Sequence, residues 1–180
     1  MAIANSRVTF SHIGEALREL LEMQIRHPEV MSPDVSLMGI HFYSSMSVLA
    51  EDKDNFVNTN LVGIVKISDP EWSCISWEKA RKILIPVYRD RRWFLQKLVT
   101  GVNKCIIYDL QRRHDPNFKD LNEEIEPILI NDARLLSIVG NKPHPKRPWN
   151  VKLHDEFSAK IIHEDSGAFV LAVAGYSLST

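Results

Sequence analysis

Three strand-like segments follow one another in the middle of the chain, and they constrain the fold more than any other feature. KILIPVY begins at Lys82, RWFLQKLV at Arg92 and KCIIYDL at Lys104. All three are rich in the apolar, β-branched and aromatic residues that favour strands. Three strands in such quick succession imply an antiparallel sheet core.

Helical patterns flank these strands. Ser11 is the expected cap of HIGEALRELLEMQI, whose predicted apolar face consists of Ile13, Leu17, Leu20, Leu21 and Gln24. A second helix is predicted from Ser32 onward, over SPDVSLMGIHFYSSMSVLAED. The last predicted helix, SGAFVLAVAGYSL, is apolar nearly all round and is expected to be buried. The same criteria predict strands at NLVGIVKI and NVKLH and a helix at DLNEEIEPILINDARLLSIVG. The order predicts an α+β fold with a central, mostly antiparallel sheet flanked by helices.

Length and composition exclude several classes of protein. The 180 residues suit one domain, 1–180, of which 1–30 form an N-terminal helical extension. A net charge of -1 argues against broad binding to nucleic acid, and no apolar run is long enough to span a membrane. Cys74 and Cys105 form no CxxC pair, and the seven histidines form no HExxH motif, so no metal or other cofactor is expected. The expected location is intracellular, in the cytoplasm or the nucleus.

Three motifs in fixed order carry a resemblance to a known family. IPVYRDRRWFL is followed by IIYDL and, much later, by HEDSGAFVLAVAGY. The set resembles the Ulp-type cysteine proteases, which remove SUMO and related modifiers, and is most similar to divergent members abundant in plant genomes and transposons. In that family one strand leads to His-Trp, the next ends in Asp, and a Gln lies shortly before Asp-Cys-Gly at the start of a buried helix. The resemblance implies a papain-like fold.

The family's catalytic positions carry over one by one, and most are altered. Trp93 matches the family's Trp, but Arg92 stands where the catalytic His is expected. Asp109 matches the Asp that orients that His. Ser166 stands in place of the nucleophilic Cys, and Lys160 in place of the Gln that stabilises the oxyanion. The resemblance therefore implies that, of the four catalytic positions, only Asp109 is unchanged.

These changes remove the chemistry of a cysteine protease. Arg92 stays protonated at any accessible pH and cannot accept a proton, and Ser166 is a weak nucleophile without a base. We predict a structural charge pair between Arg92 and Asp109. The chain is thus predicted to be an inactive Ulp-type domain, a pseudoprotease that binds a protein partner such as a ubiquitin-like modifier or a regulatory protein.

The residues predicted to bind a partner are two tryptophans and a group of cations: Trp93, Trp149, Arg89 and Arg91. Core packing is the favoured role of both tryptophans, although the family's Trp flanks the channel for the substrate tail. Arg92 and Lys160 would make this groove basic and suited to an acidic peptide. The competing interpretation is that Asp109 neutralises Arg92 and that Lys160 faces solvent.

Other interpretations stay open at this stage. The chain could be an active ubiquitin-like-protein-specific cysteine peptidase represented here in an inactivated form. Ser166 could serve as a helix cap, or could act in a serine hydrolase if His154 or His163 came within reach. A regulatory interaction protein could instead work through its N-terminal helix. Cys105 is expected to be a buried, inert thiol.

Overall fold

The computed structural model describes residues 9–42, 80–89, 91–109, 150–154 and 166–180. Within these ranges the chain forms two α-helices and five β-strands. The helices are α1 (Phe10–Arg26) and α2 (Ser166–Ser179). The strands are β1 (Val35–Leu37), β2 (Lys82–Arg89), β3 (Arg92–Val99), β4 (Lys104–Tyr108) and β5 (Asn150–Leu153), and a 3₁₀ turn at Thr100–Val102 joins β3 to β4.

The five strands form one mixed sheet in the order β1-β2-β3-β4-β5. Its centre is the predicted meander, because β2, β3 and β4 pair antiparallel. The outer strands β1 and β5 run parallel to their neighbours. Arg91 and Asn103 adopt left-handed backbone conformations at the two turns, with φ of 62° and 50°. The α+β class is confirmed, and the outer pairs make the sheet mixed.

Both helices belong to one hydrophobic core on one face of the sheet. Helix α2 packs on β1 and β3, and α1 packs against α2. The buried face of α1 follows helical spacing, as the sequence predicts, and consists of Ile13, Gly14, Leu17, Leu21 and Gln24. The α2 side chains in this core are Val170, Ala174 and Leu178. Although α1 lies within the predicted extension 1–30, it contributes directly to this core; the division of the chain into domains stays a prediction.

The prediction of a helix from Ser32 onward is wrong in the described part of that segment, because Val35–Leu37 forms the strand β1. This strand gains backbone hydrogen bonds from β2, a partner that lies far away in sequence. A buried side chain of α1 also holds it. The amide nitrogen of Gln24 donates to the carbonyl oxygen of Val35, and the Leu37 N–H donates to Oε1 of Gln24. Tertiary pairing therefore outweighs the local helical pattern.

The start of α1 also differs from the predicted one. Helix α1 begins at Phe10, so Thr9, not Ser11, precedes it, and the Thr9 N–H donates to Nδ1 of His12 over 3.2 Å.

Helix α2 is not buried all round, because Tyr176 is 71% exposed. The predicted strand NVKLH is confirmed as β5. The predicted elements NLVGIVKI and DLNEEIEPILINDARLLSIVG lie outside the described residues.

Gln96 is a buried polar residue whose hydrogen-bonding groups are not satisfied. It lies in the middle of β3 and is fully buried, and neither side-chain amide atom has a hydrogen-bond partner among the described residues. Its neighbours across the sheet are Ile85 and Ile107. We expect Gln96→Leu to raise the free energy of unfolding by about 1–2 kcal/mol, because it removes the desolvation penalty of an unpaired amide. Urea denaturation with unchanged slope measures this gain.

Gln24 provides the matched control for that experiment. It is equally buried, but its amide bonds to the backbone of β1. Gln24→Leu should therefore lower the free energy of unfolding by about 1–3 kcal/mol, since it leaves backbone groups of a buried strand without this partner. If both substitutions change stability in the same direction, hydrogen bonding does not distinguish the two positions.

Candidate active site

Ser166, the residue in the nucleophile position, lies at the first turn of α2 and faces the sheet. It is 5% exposed, and its Oγ accepts a hydrogen bond from the Trp93 N–H over 3.1 Å. The hydroxyl is thus bonded to β3 and not to an amide of its own helix, so the predicted cap role is not what the structure shows. Ser166 Oγ makes no hydrogen bond with His154, whose ring stacks on Tyr108 instead. His163 lies outside the described residues.

Gly167 allows α1 to approach the start of α2 very closely. A Cβ at this position would lie 2.4 Å from Cγ1 and 2.7 Å from Cδ1 of Ile13, and 3.2 Å from Cδ1 of Trp93. Only a residue without a Cβ fits between these two side chains without rearrangement. The glycine that follows the nucleophile position therefore has a packing role that does not depend on catalysis.

Arg92 and Asp109 form the ion pair that the sequence predicts. Nη2 of Arg92 lies 3.1 Å from Oδ2 of Asp109, and Nε donates to the same oxygen over 3.3 Å. The Asp109 side chain is 1% exposed and that of Arg92 is 18% exposed, so the pair is largely removed from water. A guanidinium thus occupies the place in which the resemblance expects an imidazole. It holds the carboxylate by charge and cannot take up a proton.

Three aromatic rings form a layer beside this pair. The ring of Phe10 stacks on Trp93 with centroids 5.2 Å apart and an interplanar angle of 10°. Tyr88 is tilted against both, at 4.6 Å from Phe10 and 5.2 Å from Trp93. Trp93 is buried, whereas Phe10 and Tyr88 are each 43% exposed. The exposed aromatic surface therefore belongs to Phe10 and Tyr88, which the sequence analysis does not single out.

The other residues predicted for the site are distributed as follows. Arg91 is exposed in the turn between β2 and β3, and Arg89 is the last residue of β2. Lys160 and Trp149 lie outside the described residues, so their predicted roles stay predictions. The structure therefore brings together Arg92, Asp109, Trp93 and Ser166. The predicted basic groove is weakened at Arg92, because Asp109 neutralises its charge.

A cavity of about 310 Å³ lies on the other side of Phe10, between α1 and residues 38–41. Leu17, Leu21 and Met38 give it an apolar floor. None of Arg92, Asp109 and Ser166 lines it. The residues at the catalytic positions therefore do not open into this space.

The described ranges carry no sign of a metal centre or a membrane span. Their His, Cys, Asp and Glu side chains form no group of three that could hold a metal ion. Neither helix in them has the length and hydropathy needed to cross a bilayer. Cys105 is a buried thiol on β4, as expected.

The arrangement of α2 against a sheet in which β3 begins at Arg92 and β4 ends just before Asp109 is that of a papain-like cysteine protease fold of the Ulp type. One solved structure with this fold is the C-terminal Ulp1 protease domain in complex with Smt3, the yeast ortholog of SUMO. It has a TM-score of 0.59 and 15% identity, over 96% of this chain and 66% of that chain. The crystal structure of a de-sumoylating protease has a TM-score of 0.55 and 16% identity, over 88% of this chain and 57% of that chain.

The likeness is one of fold. The chain spans less than two thirds of the length of both solved structures, at 66% and 57%. No protein-family model matches the sequence, and no curated protein matches it significantly. Activity, substrate and partner therefore have to be argued from the residues of this chain.

Proposed function

We propose that this protein is a catalytically inactive Ulp-type protease-like domain that acts by binding a protein partner. The observation that carries the proposal is the state of its former catalytic centre. Ser166 is buried and bonded to the Trp93 N–H, while Arg92 is paired with Asp109. A hydrolase of this type needs an accessible nucleophile next to a proton acceptor. Each of these two requirements is replaced here by an interaction that stabilises the fold.

Inactivity can be tested by partial and full repair of the site, with SUMO and ubiquitin fusions as substrates for cleavage and electrophile-tagged modifiers as probes for adduct formation. We expect no adduct with the natural chain, and turnover equal to that of a Ser166→Ala control. Ser166→Cys alone should react slowly, because the thiol would be buried and would lack a base. Only Arg92→His combined with Ser166→Cys restores a proton acceptor next to a thiol.

Two results would contradict this prediction. Turnover by the natural chain above that of Ser166→Ala would show that another base serves Ser166, as a serine hydrolase requires. Full activity of the single Ser166→Cys variant would show that position 92 is not the base position. That second result would favour the alternative of an active peptidase represented here in an inactivated form.

We infer that the partner is a ubiquitin-like modifier. The solved Ulp1 domain was captured with the yeast ortholog of SUMO, which supports a partner of this kind. In this chain the surface that we propose for the modifier is the exposed edge of the aromatic layer, formed by Phe10 and Tyr88, with Arg91 in the adjoining turn. Aromatic residues and arginine are the types that dominate the energetics of protein interfaces. An intracellular location, in the cytoplasm or the nucleus, follows from such a partner and is part of the proposal.

Binding of SUMO and ubiquitin to the natural chain, measured by calorimetry, tests the partner. We expect Tyr88→Ala to weaken binding by about tenfold, as for an interface aromatic. Tyr176→Ala is the matched control, because Tyr176 is more exposed than Tyr88 but lies on the far part of α2. Equal affinities of the two variants, or no binding of either modifier by the natural chain, would exclude this surface and this partner.

A further inference from the structure

Four lysines lie on one face of the sheet, at the end away from the aromatic layer. The pairing places Lys97 of β3 beside Ile106 of β4, and Ile106 beside Lys152 of β5. In the next row, Val99 of β3 lies between two lysines, on β2 and β4. Residues two positions apart on a strand point to the same side. We call this set the lysine face: Lys82, Lys97, Lys104 and Lys152.

The lysine face lies beside α2 and reaches beyond it. Leu84 is paired with Lys97 in the sheet and packs in the same core as α2. The lysines therefore lie on the face of the sheet that α2 covers in part. Because α2 packs on β1 and β3, the side chains on β4 and β5 lie at its flank. There Lys104 is half-buried and Lys152 is exposed. Every lysine in the described ranges belongs to this face, although the whole chain carries a net charge of -1.

Three of these lysines, Lys82, Lys97 and Lys104, are close enough for Lys97 to be repelled by the other two. Burial lowers the pKa of Lys97, the charges of Lys82 and Lys104 lower it further, and Asp34 opposes the shift. Asp34 lies just before β1, close to the C-terminal end of α2, where the Ser32 N–H donates to the Leu178 carbonyl. The negative end of the helix and the Asp34 carboxylate thus offset the positive charges of the lysines on β2 and β3. They do not offset the charges of the lysines on β4 and β5, because these two strands lie on the opposite side of β3 from β1.

We propose that the lysine face binds an acidic segment of a partner polypeptide. The face spans β2 to β5, which is about 14 Å at the usual distance between strands. An extended chain covers this length with about four or five residues. A single phosphate or carboxylate reaches only part of it. Half-buried Ile106 between Lys97 and Lys152 adds an apolar contact at the centre.

An acidic polypeptide suits these residues better than a nucleic acid. Nucleic acids carry one charge per phosphate along a long backbone, whereas this face has only four lysines and spans four strands. Lysine presents a compact point charge on a flexible stem, so each of these lysines can meet a separate anionic group. Carboxylates spaced along a peptide match such independent point charges. The proposal does not depend on the surface of Phe10, Tyr88 and Arg91 that we propose for the modifier, which lies near the opposite end of β3.

The test measures binding of a labelled peptide of about six glutamates to the full chain at two salt concentrations. A glutamine peptide of equal length, inorganic phosphate and a short DNA duplex serve as comparison ligands. We expect Lys104→Gln combined with Lys152→Gln to weaken binding of the glutamate peptide about tenfold and to reduce its salt dependence. Arg18→Gln combined with Arg26→Gln removes the same charge from α1 and should change binding less than about twofold.

Each alternative result overturns the proposal. Equal losses in the two double variants would show that only net charge matters, and no loss in the lysine variant would place the site elsewhere. Tighter binding of the DNA duplex, or competition by phosphate at equal concentration, would identify a different class of ligand. Thermal unfolding confirms that both variants are folded. The assay contains no ubiquitin-like protein, so its outcome is separate from that of the modifier-binding test.

Discussion

Replacing Gly167 by alanine is expected to lower the free energy of unfolding by about 2–3 kcal/mol, as overpacking of a core does. A methyl group at this position would lie 2.4 Å from Cγ1 of Ile13 and 3.2 Å from Cδ1 of Trp93. Both neighbours are buried, so neither can turn away into solvent. The steric cost exceeds the gain of about 1 kcal/mol that alanine normally brings to a helix. Urea denaturation of the purified chain measures the difference.

Gly175 is the control for this substitution. It lies in the same helix, and an added Cβ would meet no atom within 4 Å. Gly175→Ala should therefore stabilise the protein by up to about 1 kcal/mol through helix propensity alone. Opposite signs at the two positions are the expected result. Destabilisation at both would mean that α2 responds to something other than contact with Ile13.

A double variant identifies the contact itself. Ile13→Ala alone should destabilise the protein by about 2–4 kcal/mol, because it leaves a cavity in the core. In combination with Gly167→Ala, the new methyl group enters that cavity, so the total should be smaller than the sum by about 1 kcal/mol or more. Strict additivity would show that the two residues do not compete for the same space.

The parts of the fold that the sequence predicts are those whose patterns are local. Strands β2, β3 and β4 alternate strand-forming segments with short turns, and α2 begins at a motif whose position the resemblance supplies. Strand β1 fails this criterion, because its partner β2 lies far along the chain. One local signal is Gln24, a polar residue on the apolar face of α1. A buried amide needs partners, and β1 supplies them.

The same limit applies to the candidate site. The pairing of Arg92 with Asp109 is predictable, because both positions belong to motifs of adjacent strands. The contact of Phe10 with Trp93, and of Ile13 with Gly167, depends on how α1 docks on α2. No local pattern encodes that docking. This is why the sequence predicts which chemical groups stand at the catalytic positions but not that α1 covers the start of α2.

Replacing Arg92 by methionine is expected to destabilise the protein by about 2–4 kcal/mol, because it leaves the buried carboxylate of Asp109 without its cation. Asp109 makes further interactions, which keep the effect below the upper limit for a fully isolated charge. Arg18→Met is the matched control. Arg18 pairs with Glu15 on the surface of α1 at 3.6 Å, and its removal should change stability by less than about 0.5 kcal/mol.

The double variant Arg92→Met with Asp109→Asn decides whether the two side chains act as a pair. Once the carboxylate is replaced by a neutral amide, the missing guanidinium no longer leaves a buried charge. The loss in the free energy of unfolding of the double variant should therefore be smaller than the sum of the two single losses by about 1–2 kcal/mol. Additive effects would show that Arg92 contributes through packing alone. The carboxylate would then not hold the side chain at the position that the resemblance assigns to the catalytic His, and the proposed replacement of the catalytic dyad by an ion pair would be wrong.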